Sequence, residues 1–207
     1  IMVYGEHPCS DYDYIAHTLQ LAYGVKSGNG EIRRINVNAA PLSVESLKVL
    51  RNVGIGTYQV FQETYNRTTY TEMHPSGLKA NFRWRLYALH RSLEAGADDV
   101  GMGALFGLSD WRFELLGLLA HTIDLETRFG GVGPHTISFP RIEPAVNTPY
   151  IEQAPWRIDD DTFIRIVAII RLMVPYTGMI LTCREPAAVR ERDRKSTRLN
   201  SSHRLTS

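Results

Sequence analysis

Residues 32–62 read IRRINVNAAPLSVESLKVLRNVGIGTYQVFQ, and three local signals inside them decide the fold. Ile32–Asn38 is a β-branched run bounded by glycine on its amino side, the pattern of a strand. Ser43 stands where a helix N-cap belongs, ahead of Val44, Leu47 and Leu50 on one helical face, and Gly54 stops that helix. Thr57–Gln62 then returns to strand character. Strand, helix and strand within roughly thirty residues make one βαβ unit.

The same alternation extends outward in both directions. Ile1–Gly5 reads as a strand, and Ser10 with Asp13 three residues on reads as a capping box opening a helix with Ile15, Leu19 and Tyr23 on one stripe. Ser27–Gly30 is expected to stop it. Beyond Gln62 a polar loop through His74–Gly77 leads to a helix over Asn81–Ala95, with Phe82, Leu86, Leu89 and Leu93 inward. A strand over Val100–Leu108, a helix over Asp110–Phe129 and a strand over Thr136–Ile142 follow. After a proline-rich loop, Asp160 or Asp161 caps a helix over Phe163–Val174, and Gly178–Cys183 is the sixth strand. Nearly all-apolar strands alternating with helices specify an α/β protein with a parallel sheet. A doubly wound sheet and a (β/α)8 barrel both fit the pattern.

Composition sets the function classes aside. The 207 residues are 43% hydrophobic and 22% charged, ordinary for a globular protein. No apolar run approaches the ~20 residues of a membrane-spanning helix, and no secretory signal is visible. Two cysteines, Cys9 and Cys183, make no disulfide framework, so a cytoplasmic setting without a membrane partner is expected. The stretch Asp193–His203, DRKSTRLNSSH, lacks periodicity and matches the in-frame translation of a common sequencing-library adapter. Residues 193–207 are therefore expected to be a disordered, non-native tail. They hold Arg194, Lys195, Arg198 and Arg204 against Asp193, so the remainder carries −2 rather than +1. That removes the electrostatic case for a nucleic-acid partner.

In a parallel α/β sheet, chemistry collects at the carboxyl ends of the strands. Those ends carry Gly5-Glu6, Asn36-Val37-Asn38, Gln62-Glu63-Thr64-Tyr65, Gly107-Leu108, Pro140-Arg141 and Thr182-Cys183-Arg184. Polar groups recurring there suit a small-molecule site; ordinary ion pairs at a rim remain the alternative. Taken with Gly30–Asn38, Phe61–Tyr65, Gly101–Leu108 and His135–Ile142, the sequence resembles the radical S-adenosylmethionine (SAM) tyrosine lyases over essentially all of residues 1–192. That family serves [FeFe]-hydrogenase maturation or thiamine thiazole biosynthesis. Gly28–Arg34, Gly133–Ser138 and Val174–Ile180 favour the hydrogenase branch.

The resemblance implies a (β/α)8 barrel, here an incomplete one of about six strand–helix units, including a biotin/thiamine-synthesis-associated region. It also implies a [4Fe-4S] cluster and SAM as cofactors, with a 5′-deoxyadenosyl radical initiating cleavage of tyrosine to p-cresol and dehydroglycine (2-iminoacetate). Partners would be tyrosine itself and hydrogenase-maturation scaffold proteins. By the same resemblance, Gly5 and Glu6 hold the SAM ammonium, Glu63 lies by the ribose hydroxyls, and Arg85 grips the SAM carboxylate. Gly101, Gly103 and Gly107 let adenine approach the backbone. Asn36 and Asn38 share a face by period two and, with Arg141, Thr182 and Arg184, are candidates for tyrosine. Simpler alternatives stand beside these: Glu6 paired to a helix arginine, Glu63 on the surface, Arg85 structural, and the glycines serving a tight strand layer. No residue is assigned a catalytic role.

The sequence also departs from the family pattern. The Cys-x-x-x-Cys-x-x-Cys cluster motif and the C-terminal cysteines are absent, and no metal ligands are assigned. A fragment, inactive by itself, is therefore expected. The competing reading of a non-redox barrel such as an aldolase is weakened because Lys26, Lys48 and Lys79 fall on helices or loops.

Overall fold

The computed structural model describes residues 1–143, 148, 150, 155–182 and 184–196, with side chains through 191. Six strands form a sheet in the order β1 (Met2–Val3), β4 (Val37–Asn38), β5 (Thr57–Gln59), β6 (Asp99–Gly103), β7 (Thr136–Ser138) and β8 (Gly178–Ile180). The pairs β1–β4, β4–β5, β5–β6 and β7–β8 are all parallel. The strands are shorter than their sequence patterns. Backbone bonding nonetheless continues past β5, from Val60 N to Gly101 O and from Gln62 N to Gly103 O.

The chain divides into two compact units. The first, residues 1–60 and 74–101, holds α1 (Tyr12–Gly24), α2 (Val44–Val53), α4 (Phe82–Leu86) and α5 (Ala88–Glu94). Its core is Ile15 and Leu19 of α1, Leu47 and Leu50 of α2, Leu89 of α5, and Val37, Tyr58 and Val100 of the sheet, all at most 4% exposed. Each such side chain removed from water contributes about 1.5–3 kcal/mol. Val37, Tyr58 and Val100 are register partners and line one face of the sheet. Asn38, Gln59 and Gly101 form the next row on the opposite face.

The second unit, residues 61–73 and 102–207, holds α3 (Arg67–Met73), α6 (Trp111–Arg128), α7 (Asp160–Met173) and α8 (Ala187–Ser196). Leu115, Leu118 and Leu125 of α6, Phe163, Ile166 and Ile170 of α7, and Phe106, Ile137, Phe139 and Met179 fill its core. Among the described residues no helix is long and apolar enough to cross a membrane.

Several local expectations change. The cap of α1 is Asp11, not Ser10: its carboxylate accepts from Tyr14 N at 2.9 Å. The cap of α7 is Asp159, not Asp160 or Asp161, because Asp159 alone keeps an extended backbone and accepts from Thr162 N. Ser27–Gly30 does not end α1, which stops at Gly24. It turns a hairpin of β2 (Lys26–Ser27) and β3 (Gly30–Glu31), with Gly28 at φ 55. The helix expected over Asn81–Ala95 breaks at Tyr87. Residues 193–196, expected in a disordered tail, continue the backbone of α8; Cys183 and residues 197–207 lie outside the described residues.

Candidate functional site

In the first unit, the carboxyl end of β1 carries Gly5 and Glu6, and α4 carries Arg85 in its last turn. The Glu6 Oε2 and Arg85 Nη1 atoms stand 3.8 Å apart, with side chains 22% and 11% exposed. That separation is coulombic rather than hydrogen-bonded. Arg91 of α5 holds this corner of the unit. Its guanidinium lies 3.6 Å over the Trp84 ring, and its Nε donates to Leu42 O at 2.8 Å. Trp84 Nε1 donates to Pro41 O, and Tyr58 Oη donates to Ala40 O. The loop after Asn38 is thus tied to the helix that presents Arg85. Burial holds the Tyr58 phenol above its ordinary pKa, against the opposing pull of Arg91 and Arg85. It therefore stays a neutral donor.

Asn38 sits half-buried in the row with Gln59 and Gly101. Asn36 instead bonds within the sheet. Its Oδ1 accepts from Thr57 N at 3.0 Å and from Arg34 Nε, and Arg34 in turn pairs with Asp99. These groups lie at the amino ends of β5 and β6, opposite the strand tips, so Asn36 is occupied by the sheet. Gly5 is exposed, with nothing close to the place of a Cβ.

In the second unit, Glu63 is the one non-glycine residue with positive φ among those described, at 71°. Its backbone bridges Ala104, and its carbonyl accepts from Leu105 N. The following loop is clamped by Glu114 of α6, a residue not among the candidates drawn from the sequence. Glu114 is fully buried; its carboxylate accepts from Thr64 Oγ1 and from Tyr65 N at 2.8 Å. Desolvation pushes the Glu114 pKa up against the opposing effect of those bonds. Its sequence signal is an acid on the same helical stripe as the buried Leu118, His121 and Leu125.

Two of the three glycines read for adenine meet close neighbours. A Cβ on Gly103 would lie 2.5 Å from Ser138 O, and Gly107 takes φ 107 against Ile142. Gly101 pairs with Gln59. Arg141 is engaged by groups within the second unit. By period two it shares a face with Ile137 and Phe139, and its guanidinium lies 4.5 Å over the Phe163 ring. It donates to both Glu185 oxygens, to Asp160 and to Ile158 O. Thr182 Oγ1 accepts from Arg184 N at 3.3 Å, and Arg184 is exposed.

Comparison with known proteins places this geometry. Residues 138–198 match the model of the biotin and thiamin synthesis associated domain. The 2-iminoacetate synthase of Salmonella typhimurium is 30% identical over 187 residues, 89% of this chain and 47% of that protein. The crystal structure of HydG, a maturase of the [FeFe]-hydrogenase, superposes with a TM-score of 0.86 at 50% identity over 91% of this chain and 41% of that one. The FeFe-hydrogenase maturase HydG from Carboxydothermus hydrogenoformans gives 0.80 at 46% identity, over 92% and 43%. The chain thus spans somewhat under half the length of these relatives. With its parallel strands and alternating helices, it has the α/β architecture of an incomplete (β/α)8 barrel of the radical SAM class. Within that class, its sequence is similar to the 2-iminoacetate synthase and HydG relatives just described, and the family they represent is the one it resembles.

The family implies SAM and an iron–sulfur cluster, and the residues fit the two differently. Glu6 and Arg85 present opposite charges 3.8 Å apart, which is the pairing of Glu6 with a helix arginine expected as the simpler alternative and also the complement of an amino-acid zwitterion. Among the described residues no group of three His, Cys, Asp or Glu could hold a metal, and the whole chain has two cysteines. The described residues do not fit a cluster.

Proposed function

We propose that this chain is part of a lyase that cleaves tyrosine between Cα and Cβ, giving p-cresol and dehydroglycine for [FeFe]-hydrogenase maturation. Hydrogenase-maturation scaffold proteins are the receiving partners in this reading. The juxtaposition of Glu6 and Arg85 carries it. An amino-acid ligand places its ammonium and carboxylate a few ångströms apart, and a carboxylate beside a guanidinium takes both ends through charge-assisted bonds. In this reading Glu6 takes the SAM ammonium and Arg85 its carboxylate. Glu63 takes the ribose hydroxyls, and the Gly101–Gly103 backbone faces adenine. Asn38, Thr182 and Arg184 remain the candidates for tyrosine.

The 50% and 46% identities to the maturases, against 30% to the 2-iminoacetate synthase, favour the hydrogenase branch. The match to the biotin and thiamin synthesis associated domain supports the second reading, thiazole biosynthesis, which shares the tyrosine cleavage.

Calorimetry with S-adenosylhomocysteine, which needs no cluster chemistry, tests the site on the 207-residue chain. Saturable binding is expected, weakened about tenfold or more by Glu6→Ala or Arg85→Ala, as loss of a charged hydrogen bond predicts. Adenosine, lacking the zwitterion, should bind wild type and variants alike. No saturable binding of S-adenosylhomocysteine, or an equal loss for both ligands, would sink the reading.

A further inference from the structure

The geometry points to Glu114 as the positioning residue that aims Glu63 at the diol of a bound nucleoside. The inference rests on the reading of Glu63 as the ribose-binding carboxylate and adds what holds that carboxylate in place. A left-handed backbone is uncommon and strained for a residue with a Cβ. Something must over-determine Glu63 at φ 71. The carbonyl bond from Leu105 N fixes one side. The other side is the Thr64–Asn66 segment, and Glu114 is its anchor.

Three residues of α6, spaced i, i+3 and i+7, present one face to that segment. Glu114 accepts from Thr64 Oγ1 and Tyr65 N. Gly117 leaves room for the Tyr65 ring, since a Cβ there would lie 2.5 Å from Tyr65 Cγ. His121 Nδ1 lies 3.0 Å from Tyr65 Oη, closing the far end. Asn66 N donates back to Thr64 Oγ1, while Asn66 Nδ2 donates to Ser109 Oγ. A buried carboxylate is costly unless hydrogen-bonded, so the segment and Glu114 need each other. The Glu63 side chain itself makes none of these bonds and is half-buried. Its approach follows from the backbone that the segment fixes.

The test measures affinity of the 207-residue chain for S-adenosylhomocysteine and for its 2′,3′-dideoxy analogue. Wild type should prefer the diol about tenfold or more, and Glu63→Ala should abolish the preference. Glu114→Ala should abolish it too, with the double variant no worse than either single, because both act on one contact. Glu114→Gln keeps an acceptor for Tyr65 N and a donor toward Thr64 Oγ1, and should restore the preference. If Glu114→Ala does not fold, Thr64→Val, which deletes a hydroxyl donor to Glu114, carries the same comparison. A wild-type chain that binds S-adenosylhomocysteine without diol preference overturns the reading of Glu63 and this inference with it. A preference lost with Glu63→Ala but kept in Glu114→Ala or Thr64→Val overturns the positioning role alone. So does a variant that loses both ligands equally, since that marks a structural defect.

Discussion

Gly103 shows how a single residue type answers a geometric demand that its neighbours in sequence do not announce. The run Gly101–Leu108 resembles an adenine-facing strand, yet the structure gives Gly103 a requirement of its own. A Cβ there would stand 2.5 Å from Ser138 O and 3.0 Å from Phe61 Cδ1. A backbone oxygen cannot swing aside as a side-chain tip can. Gly103→Ala should therefore cost about 1–3 kcal/mol, the usual range for overpacking, read as a lower urea midpoint. An alanine variant as stable as wild type would mean that β6 and β7 do not approach this closely. Glu63 and Arg141 mark the limit of what residues disclose. Both read as charged groups at strand ends, but φ 71 at one and the facing of the other toward Phe163 are fixed by tertiary partners far along the chain.

Elements were more legible than their boundaries. Ser43 and Gly54 delimit α2 as their chemistry requires, with Ser43 Oγ accepting from Ser46 N and Gly54 at φ 92. In the run Asp159–Asp161 three acids compete for one cap, and composition cannot choose among them. Helix α3 falls where the sequence pattern shows only a polar loop, for a different reason. Its threonines are poor helix formers, and its stability comes from the buried Tyr70 and from Asn66 Oδ1, which accepts from Thr68 N and Thr69 N. The α7 cap carries a pH signature. Hydrogen bonds from Thr162 hold the Asp159 carboxyl below its ordinary value, near 4 for a free side chain. A folded-state pKa below the unfolded one adds stability that is present above the unfolded value and lost as pH falls through the folded one. The melting-temperature gap between wild type and Asp159→Ala should accordingly be widest near neutrality and narrow below about pH 4. A gap that widens on acidification would contradict the assignment of Asp159 as the cap.

At the scale of the molecule, the strand–helix alternation was visible because periods of 2 and 3.6 are written locally. The polar ties inside each unit were not, since they join residues remote in sequence. The Arg141–Glu185–Asp160 cluster is the most consequential of these in the second unit. It joins the end of β7 to the start of α7 and to the segment before α8. Glu185 is 2% exposed, and the Arg141 and Glu185 side chains are 8% and 0% exposed. Desolvation opposes the guanidinium charge, but the bonds to Glu185 and Asp160 outweigh it and raise the Arg141 pKa above its ordinary value. Breaking such a pair leaves an uncompensated buried charge, which costs about 3–5 kcal/mol, whereas replacing both partners with apolar groups of similar volume is often close to neutral. Glu185→Ala should therefore lower the urea midpoint sharply. Glu185→Leu combined with Arg141→Met should recover most of that loss, with Asp160 left half-exposed and able to rehydrate. If Glu185→Ala costs less than about 1 kcal/mol, the pair behaves like an exposed one. If the double replacement is as damaging as the single, the cluster serves the unit through its geometry rather than its charge balance.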